Sequence, residues 1–262
     1  MEGKGTVLIT GASGGIGLAL ARCFARGGFP LLLTARNADK LAQAAAELRA
    51  AHGVSVQTLP LDLALSGAPA ELAGVAERLD PALEILVNNA GYGAYGPFAE
   101  ADLAATLGMI QLNIAALTEL TRRLLPGMIE RRRGRVLNVA STAAFQPGPL
   151  MAVYYASKAY VLHFSEALAA ELEGAGVTCT ALCPGPTATD FESRAGLDTS
   201  KLFTGRRVMN VEPVAEAGYA GVLRGQRVVI PGRWNQLLIQ GSRFLPRRLV
   251  TSIVGRMQGR RA

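Results

Sequence analysis

Short β-rich runs alternate with longer Ala- and Leu-rich segments from residue 6 to residue 230, and this alternation constrains the fold more than any other feature of the chain. TVLIT (6–10), PLLLTA (30–35), VSVQTL (54–59), EILVN (84–88), RVLNVA (135–140), VTCTALC (177–183) and RVVI (227–230) have the length and composition of strands. Segments of helical length separate them at 15–26, 37–51, 68–79, 100–131, 152–174 and 211–224. Strands that are apolar almost throughout must be covered on both faces, which implies parallel strands joined by right-handed helical crossovers. The expectation is one doubly wound α/β domain over residues 1–232, with no internal repeat, low-complexity tract or linker. The irregular stretch 184–210 is long for a compact domain and reads as a lid or binding loop.

Charge narrows the function. The formal net charge is +7, but seven arginines and no acid follow residue 232, so residues 1–232 hold 20 basic and 20 acidic groups. A neutral body without interleaved aromatic and basic residues argues against a nucleic-acid groove. The segment 233–262 reads as a basic amphipathic extension, with apolar residues at 234, 237, 238, 245, 249, 253 and 257 and a break near Pro246. Such a segment can lie on an anionic membrane surface, cover the chain's own substrate pocket or pack against another subunit. RRRGR (131–135) closes a long helical pattern, where cations complement the helix dipole, and reads as a solvated helix end. The three cysteines, Cys23, Cys179 and Cys183, lack paired spacing and are expected as buried thiols in a reducing compartment. No signal peptide and no membrane-spanning apolar run are read, so the expected location is cytoplasmic. His52 and His163 have no partner ligands at metal spacing, and no metal is expected.

The chemistry begins at TGASGGIG (10–17), which ends the first strand and opens the first helix. Gly11, Gly15 and Gly17 permit a tight turn, close backbone approach to a pyrophosphate and close helix packing, and the helix N-terminus offers free N–H groups. Arg36 stands after the second strand, where an acid would bind the ribose 2′-hydroxyl of NAD. A guanidinium suits a 2′-phosphate, so NADP(H) is favoured over NAD(H), with a solvated strand-end charge as the plainer reading. Asp62, after the third strand, can contact the adenine edge or serve only its own turn. Farther on, VYYASK (153–158) places Tyr154 four residues and Tyr155 three residues before Lys158. These lie about 40° and 60° from the lysine around a helix, so local spacing does not rank them.

Six motifs in order resemble those of the classical short-chain dehydrogenase/reductase family over residues 5 to 230: TGASGGIG (10–17), NNAG (88–91), Asn113 in QLNIAAL, Ser141 in NVAST, YYASK (154–158) and PGPTAT (184–189). The resemblance implies a seven-stranded parallel sheet of order 3-2-1-4-5-6-7 and a catalytic set of Asn113, Ser141, Tyr154 and Lys158. It assigns the acid to Tyr154, thirteen residues after Ser141, and leaves Tyr155 in a variable position. It adds Ser13, Ile16, Asn89, Ala90, Gly91, Pro184, Gly185, Thr187 and Thr189 to the cofactor-binding residues, together with Tyr154 and Lys158. Thr189 would hold the nicotinamide carboxamide, and Thr187 departs from the family's usual Val or Ile.

The chemistry so implied is carbonyl–alcohol interconversion. A nicotinamide supplies hydride, Ser141 holds the substrate oxygen, and Lys158 holds the ribose and lowers the pKa of Tyr154. Asn113 positions a water that relays protons to Lys158. The alternative is a nucleotide sensor or membrane-associated interaction protein that keeps the fold without turnover. Phe145, Phe191, Leu197 and Phe203 suggest an apolar ketone or aldehyde as substrate, and family members are commonly homodimers or homotetramers.

Overall fold

The computed structural model describes residues 3–189, 191, 195 and 208–259. Seven strands form its centre: β1 (Thr6–Thr10), β2 (Leu31–Ala35), β3 (Val56–Pro60), β4 (Leu83–Asn88), β5 (Gly134–Val139), β6 (Val177–Leu182) and β7 (Val228–Val229). They pair in parallel in the order β3-β2-β1-β4-β5-β6-β7, as expected. The helices between them are α1 (Gly15–Arg26), α2 (Ala38–His52), α3 (Ala68–Ala76), α4 (Leu103–Ile110), α5 (Leu117–Glu130), α6 (Ala152–Glu171) and α7 (Val211–Leu223). Strand order reverses direction between β1 and β4, and a crevice opens beyond the carboxyl ends of the strands at such a point.

The sheet is buried on both faces because alternate residues of each central strand supply two separate cores. Val7, Ile9, Leu31 and Leu33 pack with Leu20 and Phe24 of α1, Leu41 and Leu48 of α2, and Val214 and Val222 of α7. Leu8, Leu32, Leu86 and Val136 pack on the other side with Leu72 of α3, Leu120, Leu124 and Met128 of α5, and Leu168 of α6. Each fully buried leucine contributes roughly 2 kcal/mol relative to an exposed one. Local signals then set the helix ends. Asn37 caps α2 by accepting from the Lys40 N–H at 2.8 Å, and Gly53, at φ 65°, terminates it. The three cysteines are buried, and burial pushes their thiols up to about 11 for Cys23 and about 12 for Cys179 and Cys183, which leaves them protonated and inert at neutral pH.

Five expectations change. The helix expected at 100–131 is two α-helices joined by a π-helical segment, Gln111–Ala116. Continuity through that segment gives a 28-residue helical run, Leu103–Glu130, that is by length and composition long and apolar enough to cross a membrane, contrary to the reading of the sequence. In the fold the stripe bearing Leu117, Leu120, Leu124 and Met128 is buried against the protein. RRRGR is a solvated helix end only in part, since Arg131 and Arg132 are exposed but all four arginines have protein partners. Arg133 and Arg135 grip the buried Glu84 at 2.7 and 2.6 Å, Arg131 donates to the Leu83 carbonyl and Arg132 to the Gly174 carbonyl. Phe145 packs with Leu117, Val161 and Cys183 instead of facing the substrate side. The seventh strand is only two residues long.

The C-terminal segment forms α8 (Arg233–Ser242) and α9 (Arg247–Gln258), with Pro246 immediately before α9. Asn235 of α8 packs against Gly185, where an added Cβ would stand 2.6 Å from its amide nitrogen. Val250 and Val254 of α9 are buried with Ala143, Met151 and Tyr155. Leu197 and Phe203 lie outside the described residues, as does most of the expected lid.

Candidate active site

At the switch point a cleft of about 750 Å³ runs from Arg36 and Asp62 past the glycine turn to Ser141, Tyr154 and Lys158. Its floor is the end of β1. Thr10 Oγ1 accepts from the N–H groups of Asn89 and Ala90, both at 2.9 Å, and donates to the Val87 carbonyl. The Asn89 amide donates to the carbonyls of Thr10 at 2.8 Å and Gly11 at 3.2 Å. Asn89 therefore acts on the cleft by clamping the turn. Gly11 has φ 66°, and a Cβ on Gly17 would run into the Gly11 carbonyl oxygen and stand 2.5 Å from Asn89 Nδ2. No side chain caps α1, and no acidic residue stands in its first turn. An uncapped N-terminus pointing into a glycine-lined cleft suits an anion such as a pyrophosphate.

The far end of this half holds Arg36 and Asp62, 3.8 Å apart. The Arg36 side chain is 65% exposed, available to a phosphate that enters the cleft. Asp62 also accepts from the Ala64 N–H at 3.0 Å, so the turn role foreseen for it is real and leaves its second oxygen facing Arg36. Ser13, Gly15, Ile16, Ala90, Gly91, Pro184, Gly185, Thr187 and Thr189 line the cleft as well. Thr187 is buried and donates to the Gly185 carbonyl at 2.9 Å, so its hydroxyl is satisfied within the Pro-Gly turn. Thr189 accepts from the Phe191 N–H at 3.2 Å.

Ser141 follows β5 by two residues, in extended backbone, and accepts from the Ala143 N–H at 3.1 Å, capping the turn Thr142–Phe145. Tyr154, in the first turn of α6, is within hydrogen-bonding reach of Ser141, and its ring lies against that of Phe191, 5.2 Å between centroids and tilted by 45°. Lys158, one turn on, is buried, donates to the Val139 carbonyl at 2.8 Å and lies 5.8 Å from the Tyr154 ring centroid. Burial pushes Tyr154 well above the usual phenol value, and the Ser141 hydrogen bond only partly offsets this. Burial also lowers Lys158 to about 8. The lysine was expected to lower the tyrosine. Within the chain alone burial dominates both shifts, upward for the phenol and downward for the ammonium.

Tyr155 points elsewhere. Its hydroxyl accepts from Gln258 of α9, and burial raises it to about 12. The two tyrosines that helical spacing left unranked have different surroundings: Tyr154 meets Ser141, whereas Tyr155 meets the C-terminal helix. Asn113 sits in the π-helical segment, 2% exposed. Its Oδ1 accepts from the Tyr92 N–H at 3.1 Å, and its Nδ2 donates to the Tyr92 carbonyl at 3.0 Å and to Ser157 Oγ at 3.1 Å. Ser157 in turn donates to the Tyr154 carbonyl at 2.7 Å. With both ends of its amide engaged by protein, Asn113 ties the loop after β4 to the turn that carries Tyr154.

The model of the family described as short chain dehydrogenase matches residues 5–199. The chain belongs to the short-chain dehydrogenase family. A short-chain dehydrogenase from Sphingobium yanoikuyae, solved in complex with NADPH, is 36% identical, with a TM-score of 0.82 over 91% of this chain and 93% of that one. The bulky-bulky ketone specific alcohol dehydrogenase from Comamonas testosteroni is 31% identical, with a TM-score of 0.78 over 92% and 99% of the two chains. Among curated relatives, the ketoacyl reductase HetN of Nostoc sp. is 37% identical over 71% of this chain and 64% of its own length. The very-long-chain 3-oxoacyl-CoA reductase of Anas platyrhynchos is 36% identical over 70% and 59%. The chain thus spans less than two thirds of the length of these two relatives.

Three residues that contact this short-chain dehydrogenase site are absent from the reading of the sequence. Ser157 lies inside YYASK and was readable as the polar partner one turn from Tyr154. Gln258 and Asn235 were not readable, since each contacts the site from the C-terminal helices, far along the chain.

Proposed function

We propose that this protein is an NADP(H)-dependent oxidoreductase that interconverts a hydrophobic ketone or aldehyde and the corresponding alcohol. The observation that carries the reading is the meeting of Tyr154, Ser141 and Lys158 at one end of a cleft whose other end holds an uncapped glycine turn and an exposed Arg36. The residues fit a nicotinamide dinucleotide: the turn has no room for side chains at Gly11 and Gly17, and the helix end behind it is electropositive. When bound, the nicotinamide supplies or accepts the hydride and carries a positive ring in its oxidised form. Ser141 holds the substrate oxygen, and Tyr154 delivers the proton that oxygen needs on reduction. Lys158 holds positive charge next to the phenol, and Phe191 and Met151 give the substrate side an apolar wall. NADPH in the Sphingobium complex and the ketone substrates named for the relatives support the same class.

The test is oxidation of NADPH and of NADH, followed at saturating enzyme across a panel of aliphatic, aromatic and β-keto carbonyl compounds. NADPH-dependent turnover of hydrophobic members is expected, and silence across the panel would sink the reading. Arg36→Ala should weaken NADPH binding about tenfold while leaving NADH little changed; equal effects on both would remove Arg36 from 2′-phosphate recognition. Gly17→Ala should cost about 1–3 kcal/mol of stability by overpacking and most of the dinucleotide affinity. Thermal unfolding and fluorescence titration read these separately, and wild-type affinity in the variant would show that the turn does not approach the pyrophosphate.

A further inference from the structure

The C-terminal helices present more apolar surface than the protein covers. On α8, Trp234, Leu237 and Leu238 recur at helical spacing and are exposed, Leu237 to 64%. Phe244, in the connection to α9, is 88% exposed. On α9 the buried stripe is Val250, Val254 and Gln258, while Leu249, Ile253 and Met257 stand one residue earlier, about 100° around the helix, and face outward. Half of the apolar arc of α9 is therefore left uncovered. Arg233, Arg247, Arg248 and Arg256 on these helices and Arg243 between them are all exposed, and no acidic residue occurs between 233 and 259.

We propose that the outer face of α8 and α9 docks on an anionic lipid bilayer. Charge complementarity selects this occupant. Two copies of the chain apposed through this face would bring arginines against arginines with no acid between them, whereas an anionic surface accepts them all. A tryptophan, a phenylalanine and leucines flanked by arginines are the combination that settles at the boundary between headgroups and acyl chains, where long cationic side chains reach the phosphates. The neutral charge balance of residues 1–232 confines the attraction to this face. The inner face of α9 meanwhile touches Tyr155 beside the cleft, so docking would bring the substrate side of the molecule close to the bilayer.

The experiment is co-sedimentation of the full chain with vesicles of phosphatidylglycerol and phosphatidylcholine in equal parts, against phosphatidylcholine alone. Trp234 is the only tryptophan, so its emission reports α8 directly. The expected result is binding to the mixed vesicles with a blue shift of that emission, weakened by salt and nearly absent with phosphatidylcholine alone. The triple variant Leu237→Glu, Phe244→Glu, Leu249→Glu, all exposed positions, should lose about tenfold or more in partitioning, with an unchanged thermal unfolding curve as control for folding. No binding to mixed vesicles, equal binding to both vesicle types, or equal binding by the triple variant would overturn the proposal. So would a wild-type dimer that the variant converts to monomer without any vesicle binding, which would assign the face to a second copy. None of these readings involves turnover, so the outcome is independent of the catalytic assignment.

Discussion

Tyr154→Phe is expected to lower kcat by about 10²–10⁴-fold or more while dinucleotide binding is retained. The phenylalanine keeps the ring contacts to Phe191 and Tyr155, so the fold loses little. What goes is the one hydroxyl that meets Ser141 in the cleft. Tyr155→Phe removes only the hydrogen bond from Gln258 and should cost a few-fold in rate, with its larger effect on stability. Single-turnover kinetics with NADPH and the best carbonyl of the panel, beside equilibrium titration, separates binding from chemistry. Comparable losses in the two variants would overturn the assignment of roles to the adjacent tyrosines.

Lys158→Met is expected to separate stability from function. The buried lysine falls from its usual 10.5 to about 8, which opposes the charged form by about 3 kcal/mol. The sign follows from linkage. Between pH 8 and 10.5 the unfolded chain holds this proton and the folded chain does not, so the cost is complete below about pH 8 and is relieved as pH rises to about 10.5. Methionine removes the charge and keeps most of the volume. It also loses the hydrogen bond to the Val139 carbonyl, which takes back about 1 kcal/mol. The variant should therefore be more stable than the wild type at pH 7 by about 1–2 kcal/mol, with the difference closing toward pH 10. Turnover should fall by about 10²–10⁴-fold. Urea unfolding at pH 7 and pH 10 reads the first effect, and a variant less stable at pH 7 would show that burial of the ammonium is not a stored cost.

What the sequence disclosed follows from how far each constraint reaches along the chain. The glycine turn was legible because its demands are local: Gly11 needs a positive φ and Gly17 must lack a side chain, and both follow a strand and open a helix. The sheet order and the motif residues followed from family resemblance, and the structure brings Ser141, Tyr154 and Lys158 to one place. Roles carried by tertiary partners were not legible. Nothing in QLNIAAL marks a π-helical segment, since a six-residue change of hydrogen-bond pattern leaves no apolar period to read. Arg133 and Arg135 of RRRGR looked solvated because their partner, Glu84, lies some fifty positions away. The direction of the Tyr154 shift depended on burial, which residue spacing does not report.

The contacts of Asn235 with Gly185 and of Gln258 with Tyr155 come from residues beyond 199, where the family match ends. The motif residues that line the cleft and the helices that back Gly185 and Tyr155 are thus encoded in separable stretches of the gene. Exchanging the stretch from 233 onward between relatives would therefore change what backs Gly185 and Tyr155 while every motif residue of the cleft stays as it is.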